Sequence, residues 1–102
     1  MSSLVFSSNA DAHRFEATKD GKLAGFVEYN ELRDALMFTH TEVLPEFEGQ
    51  GVGSGLARHV LGEARARGVL VIPVCQFIAG YIRKHREYVD LVRPDIQRAF
   101  KI

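Results

Sequence analysis

A chain of 102 residues and 11.4 kDa sits near the commonest domain size and reads as a single domain, 1–102. With 46% hydrophobic and 25% charged residues it has the make-up of a soluble folded protein, and no apolar run approaches the roughly 20 residues of a membrane-spanning helix. Thirteen basic residues balance thirteen acidic ones, which argues against nucleic acid or an anionic membrane as partner, while a single cysteine and the absence of a leader pattern in Met1 to Ala10 point to a reducing cytoplasm.

Phe15 and Ala17 alternate with Arg14, Glu16 and Thr18, the period of a half-buried strand that ends at Lys19-Asp20-Gly21-Lys22. Asp-Gly is a strong hairpin signal because both residues tolerate positive φ. Lys22 to Tyr29 reads as the second strand, with Leu23, Val27 and Tyr29 on one face and Gly25 leaving a gap. After a turn at Asn30 to Arg33, Ala35 to Leu44 reads as a third. Strict alternation puts Leu36, Phe38, His40 and Glu42 on one side of it and Met37, Thr39, Thr41 and Val43 on the other. Pro45 closes the strand, and Gly49 to Gly55 carries glycine at every second position.

The period then changes. Leu56, Ala57, Val60, Leu61 and Ala64 form an apolar stripe at helical spacing, and Arg65, Arg67 and Gly68 supply a helix stop. Val69 to Val74 reads as a strand buried on both faces, and strand, helix, strand in this order implies a right-handed parallel crossover. Gln76 to Leu91 returns to helical period with Ile78, Ile82 and Val89 inward; Pro94 ends it, and the last eight residues fit a turn of helix or a tail. The expected fold is α+β: a three-stranded antiparallel meander, a β-α-β crossover and a C-terminal helix. Phe15, Phe26, Phe38 and Phe77 are expected in the core, and His59 toward solvent.

Glycine costs about 1 kcal/mol relative to alanine inside a helix, so Gly51, Gly53 and Gly55 at the head of a helix call for compensation. One source is an anion held by backbone N–H groups at a helix N-terminus; the plainer one is a tight turn that needs glycine for its dihedrals. A Walker loop needs Gly-Lys-Ser or Gly-Lys-Thr, and no lysine occurs between Lys22 and Lys84. The spacing also misses the dinucleotide fingerprint, so a loop for another nucleotide is the weakest reading. The four histidines are too scattered for metal ligation.

The run Thr41-Glu42-Val43-Leu44-Pro45-Glu46-Phe47-Glu48-Gly49-Gln50-Gly51-Val52-Gly53-Ser54-Gly55-Leu56 resembles the coenzyme A loop of the GNAT (GCN5-related) acyltransferase superfamily. Glu48 stands where that pattern has Arg or Gln; a register shifted by two residues, starting at Gln50, fits literally as well. Thr41-Glu42-Val43, Pro73-Val74-Cys75 and Lys84-His85-Arg86-Glu87-Tyr88 extend the likeness to a short subfamily, over about residues 13 to 92. The N-terminal helices that wall the acceptor site in longer members have no counterpart here, so the acceptor side is expected to be open.

The resemblance implies acetyl-CoA or coenzyme A as ligand. The backbone of Val43 and Leu44 would meet the pantetheine arm, and Gly49, Gln50, Gly51, Val52, Gly53 and Ser54 the diphosphate. Arg83 and Lys84 are candidates for the adenosine phosphates, beside the plainer reading of an exposed cationic pair. His40 and Glu42 are the candidate bases for an amine acceptor. The tyrosine that serves as acid in typical members has no counterpart, since Gln76 and Arg83 occupy the corresponding places and Tyr81 is out of register. Cys75 is the candidate stand-in, accepting and passing on the acyl group with help from His85 or His40, or else it is simply a buried small residue. The function so implied is acetyl-CoA-dependent N-acetyl transfer to an unidentified amine; the alternative is a coenzyme-binding module without turnover.

Overall fold

A computed structural model describes residues 4–102; the expected domain start at residue 1 and the first positions of the stretch scanned for a leader lie outside them. Five strands, β1 (Leu4–Asn9), β2 (Arg14–Lys19), β3 (Lys22–Glu31), β4 (Ala35–Val43) and β5 (Leu70–Pro73), form one sheet in chain order. β1 to β4 are an antiparallel meander and β5 runs parallel to β4. The meander therefore has four strands where the sequence reading had three. Leu4-Val5-Phe6 does not alternate, so β1 shows its strand character only through pairing with β2.

Asp20 and Gly21 sit at φ 53° and 79° between the facing residues Lys19 and Lys22, a two-residue turn of the primed kind. Helix α1 (Val52–Arg67) buries Leu56, Ala57, Val60, Leu61 and Ala64, the expected stripe. It closes on Gly68, whose N–H donates to the Arg65 carbonyl while that of Val69 reaches back to Ala64. The head of α1 lies hard against the sheet: a β-carbon on Gly25 would meet the Glu42 carbonyl oxygen at 2.7 Å and Val52 at 3.0 Å.

The C-terminal region departs from the single helix expected over Gln76 to Leu91. Helix α2 (Gln76–Lys84) stops at His85, whose φ of −126° is not helical; its Nδ1 lies 2.9 Å from the Tyr81 carbonyl oxygen and its ring stacks on Tyr81 at 3.9 Å. A 3-10 turn (Arg86–Leu91) follows, clamped to α1 by Arg65, which donates to both Asp90 carboxylate oxygens at 3.0 Å and to the Glu87 carbonyl. The last residues are helical, α3 (Pro94–Phe100). Arg83 ties them to α2 by donating to the carbonyls of Phe100 and Lys101.

One core, filled by Phe15, Phe38, Leu36, Leu56, Leu61, Ile78 and Ile82 among others, joins α1, α2 and the 3-10 turn to a single face of the sheet. The opposite face carries Arg14, Glu16, Phe26, Glu28, His40 and Glu42, and among the described residues no such core layer covers it. That corrects four expectations. β5 is buried on one face only and Val74 is exposed; Phe26 lies half-buried on the outer face beneath the Arg14 guanidinium, 4.5 Å from its ring centre; and Phe77 is exposed. His59, expected in solvent, is half-buried and stacks on Phe6 at 5.3 Å. No described helix is long and apolar enough to cross a membrane.

Candidate functional site

β4 does not alternate cleanly from end to end. Glu28 faces His40, but the next residue, Tyr29, faces Phe38, so Thr39 is an extra residue in β4. Such a bulge shifts the face on which later side chains emerge. Leu36 and Phe38 point into the core, whereas His40 and Glu42 leave by the outer face, half exposed; the expected shared side for all four is thereby corrected. His40 Nε2 and Glu42 Oε1 are 3.2 Å apart, an imidazole and a carboxylate paired beside the Phe26 ring.

The same strand opens a gap. β4 and β5 pair only from Ala35 and Leu70 to Phe38 and Pro73, where β5 ends, so beyond that point the β5-side edge of β4 is unpaired. Leu44 donates its N–H to the Ala24 carbonyl, so the alternation of backbone directions turns the amides of Val43 and Thr41 away from β3, toward the gap. Of the two expected strand-end donors, Val43 is thus free to serve the gap and Leu44 is engaged. Cys75 stands just past the end of β5, at the head of α2: its N–H donates to the Phe38 carbonyl at 2.8 Å, its thiol donates to Thr41 Oγ1 at 3.1 Å, and it is 9% exposed. Cys75 and the His40–Glu42 pair belong to the same end of β4 but to opposite faces of the sheet.

A 3-10 turn (Pro45–Phe47) carries the chain from β4 to the glycines. α1 begins at Val52, four residues earlier than its apolar stripe suggested, so Gly53 and Gly55 belong to its first turn. Gly49 and Gly51 hold φ of 78° and 80°, the left-handed region that favours glycine. Gly55 is needed for packing, since a β-carbon there would stand 2.6 Å from the Phe6 ring, and one on Gly53 would stand 2.8 Å from the Phe77 ring. Glycine density alone therefore has a structural explanation.

The donors do not. Gly55 is the first residue of α1 to bond back into the helix, to Gly51, which leaves the N–H groups of Val52, Gly53 and Ser54 without a helical partner; the helix has no side-chain cap and no acidic residue in its first turn. With roughly half a positive charge at this end, they make an anion-binding surface. A cavity of about 260 Å³ opens on it, lined by Val43, Glu48, Gly49, Gly51, Gly53 and Ser54 among others. Gln50 faces elsewhere, its amide oxygen held by Lys19 and its amide nitrogen donating to the Glu46 carbonyl. Lys84 lines a second cavity of about 280 Å³ next to the first, with Gln76, Tyr81 and His85, while Arg83 is committed to the C-terminal carbonyls. Burial, followed by the neighbouring Tyr88, holds the Tyr81 phenol above its usual range. The sequence reading missed Thr41 as the partner of Cys75, the exposed place of Phe77 and the stacking of Tyr81 on His85; the one available signal was Phe77 lying off the Ile78–Ile82 stripe. Among the described residues no three His, Cys, Asp or Glu side chains cluster as metal ligands.

Comparison with known proteins agrees with this geometry. Residues 14–91 match the family of GCN5-related N-acetyl-transferases. The [ribosomal protein bS18]-alanine N-acetyltransferase of Escherichia coli (strain K12) is 30% identical over 70 residues, 67% of this chain and 47% of that protein, so the chain spans about half the length of the curated relatives it matches. The solution structure of a GCN5-like protein from Staphylococcus aureus superposes with a TM-score of 0.68 at 25% identity, covering 91% of both chains. Ard1 from Thermoplasma volcanium gives 0.53 at 25% identity over 74% of this chain and 53% of that one.

Proposed function

Because this chain belongs to the GCN5-related N-acetyltransferase family, we propose that it takes acetyl-coenzyme A as acyl donor and passes the acetyl group to an amine carried by a polypeptide. The observation that carries this reading is the cavity at the head of α1, where three backbone N–H groups without helical partners converge under a helix dipole. Those donors suit a diphosphate. From there the thioester end of the ligand would run along β4, past the outward amides of Val43 and Thr41, into the gap between β4 and β5. Glu48, which lines the same cavity, opposes the fit.

The bound thioester supplies an activated acetyl carbon: a carbon–nitrogen bond forms as the carbon–sulfur bond breaks, the amine proton goes to a base and the departing sulfur is protonated. His40 and Glu42 are our candidates for that base, being hydrogen-bond neighbours half exposed at the edge of the gap. Cys75 offers a two-step variant, in which its sulfur takes the acetyl group first; its position just past the end of β5 favours this. The Thr41 oxygen that receives the thiol hydrogen bond is no base, however, so direct attack is the preferred route.

A polypeptide acceptor suits the outer face of the sheet, where His40 and Glu42 are half exposed. The E. coli relative is named for acting on an alanine of a ribosomal protein, the same kind of acceptor. The free thiol of Cys75 suits work in a reducing compartment such as the cytoplasm.

Calorimetric titration with acetyl-CoA, followed by thiol release in the presence of small amines and of peptides with free amines, tests the proposal. Binding with peptide-dependent thiol release is expected. Binding without release would favour the coenzyme-binding module, and no binding at millimolar concentrations would overturn both.

A further inference from the structure

We infer that Phe77 is a movable partition that sets which ligands the groove admits, an inference that rests on the coenzyme reading above. Phe77 is the second residue of α2 and is 44% exposed, off the apolar stripe of its own helix. Its ring rests on the first turn of α1, so close to Gly53 that no β-carbon would fit between them. The ring therefore lies over the turn that carries the unpartnered N–H donors.

Phe77 and Ser54 are the two residues that line both cavities, the one at the head of α1 and the one along α2. The first, of about 260 Å³, reaches back to Val43 at the end of β4; the second, of about 280 Å³, reaches forward to Lys84 and His85. Each is smaller than the roughly 300–1,000 Å³ of ordinary small-molecule sites, and joined they fall inside that range. A coenzyme thioester has a pantetheine arm at one end and a nucleotide at the other, too long for either cavity alone. The ring stands between them.

It has somewhere to go. Gly80 lies one turn further along α2, on the side facing the second cavity, and a β-carbon there would meet nothing nearer than the Arg83 side chain at 3.9 Å. Rotation about χ1 would lift the ring off Gly53 toward this open surface, and because the ring is already exposed it gives up little burial. Moved in this way, Phe77 joins the cavities and lies along the bound ligand as an apolar wall. A donor that ends at the phosphopantetheine needs only the first cavity and leaves the ring in place.

The test uses the full chain labelled with 4-fluorophenylalanine, the Phe77 resonance being assigned by its loss in Phe77→Leu. Saturating acetyl-CoA is expected to move that resonance strongly, and acetyl-phosphopantetheine to move it much less. In Phe77→Ala, stopped-flow association of acetyl-CoA is expected to quicken several-fold while the affinity for acetyl-phosphopantetheine stays within about twofold. A resonance unmoved by acetyl-CoA that calorimetry shows to be bound, or an equal effect of Phe77→Ala on the two donors, overturns the partition and leaves the coenzyme reading standing. If neither wild type nor Phe77→Ala binds acetyl-CoA, the coenzyme reading fails and the partition with it.

Discussion

Glu48 is the acidic residue among those lining the cavity at the head of α1, into which the donors that would hold a diphosphate open. Two like charges about 4 Å apart cost roughly 1 kcal/mol in water, so Glu48→Gln should tighten acetyl-CoA binding by a few-fold and up to about tenfold. The gain should shrink as salt is raised, which calorimetry at two ionic strengths would show; an affinity that does not change would remove Glu48 from the site. The glycines next to it separate by what presses on them. Gly55→Ala drives a methyl group into the buried contact with Phe6 and should cost about 1–3 kcal/mol. At Gly53 the neighbour is the exposed Phe77 ring, which can yield, and alanine is the better helix former by about 1 kcal/mol, so Gly53→Ala should be near neutral. Denaturant melts of the two variants check the contrast. At the reaction end, Glu42→Gln should lower kcat by about 100-fold or more if the His40–Glu42 pair takes the amine proton, with coenzyme affinity unchanged.

Elements were legible in the sequence where local pattern and local cause coincide. The Asp20-Gly21 turn, the stripe of α1 and the stop at Gly68 each depend on residues within a few positions of one another, and each stands where the pattern puts it. The glycine-rich turn at the head of α1 was legible for a similar reason, its glycines and flanking apolar residues lying in one run. What was not legible is set by distant partners. β1 has no alternation of its own, and its Phe6 is seated by Gly55 and His59, some fifty residues away. The bulge at Thr39 follows from the pairing of β3 with β4, and it sends His40 and Glu42 to the face opposite the one alternation assigns. A pH test reads the strand that the sequence hid. The Asn9 side-chain amide of β1 donates to Glu16 of β2 at 3.0 Å, and Arg14 donates to the same oxygen at 2.6 Å. Asn9 first, then Arg14, hold the Glu16 carboxyl below its usual range. A carboxylate whose folded pKa is depressed stabilises the fold above its unfolded pKa, and that contribution is lost as pH falls through the folded value. Wild type should therefore exceed Asn9→Ala by about 1 kcal/mol at neutral pH, and the gap should narrow steadily below the ordinary carboxylate range. Melts from pH 7 to pH 3 that keep a constant gap would show that the bond does not depend on Glu16 ionisation.

At the scale of the whole molecule, all the helices that share the core with the sheet lie on one face, and the candidate site sits at the edge where that layer meets the gap between β4 and β5. The donors at the head of α1, the outward amides of β4 and Cys75 at the end of β5 come from three elements that meet only in the folded chain. A ligand that bridges them binds the native state and not the unfolded one, so its binding free energy adds to stability. Acetyl-CoA at 100 times its Kd should add about 2.7 kcal/mol. For a domain of this size each kcal/mol moves Tm by about 4–8 °C, which makes the expected rise on the order of 10 °C or more. Hydrogen exchange distinguishes a bridging ligand from one that touches a single loop. If the coenzyme links α1 to the open end of β4, the amides of Val52, Gly53 and Ser54 and those of Thr41 and Val43 should all slow on binding, whereas the outer face around Phe26 and Glu28 should be unaffected until an acceptor peptide is added. Protection confined to the head of α1 would mean that the diphosphate is held while the acyl end lies free of the gap, and neither His40 nor Cys75 would then have a thioester within reach.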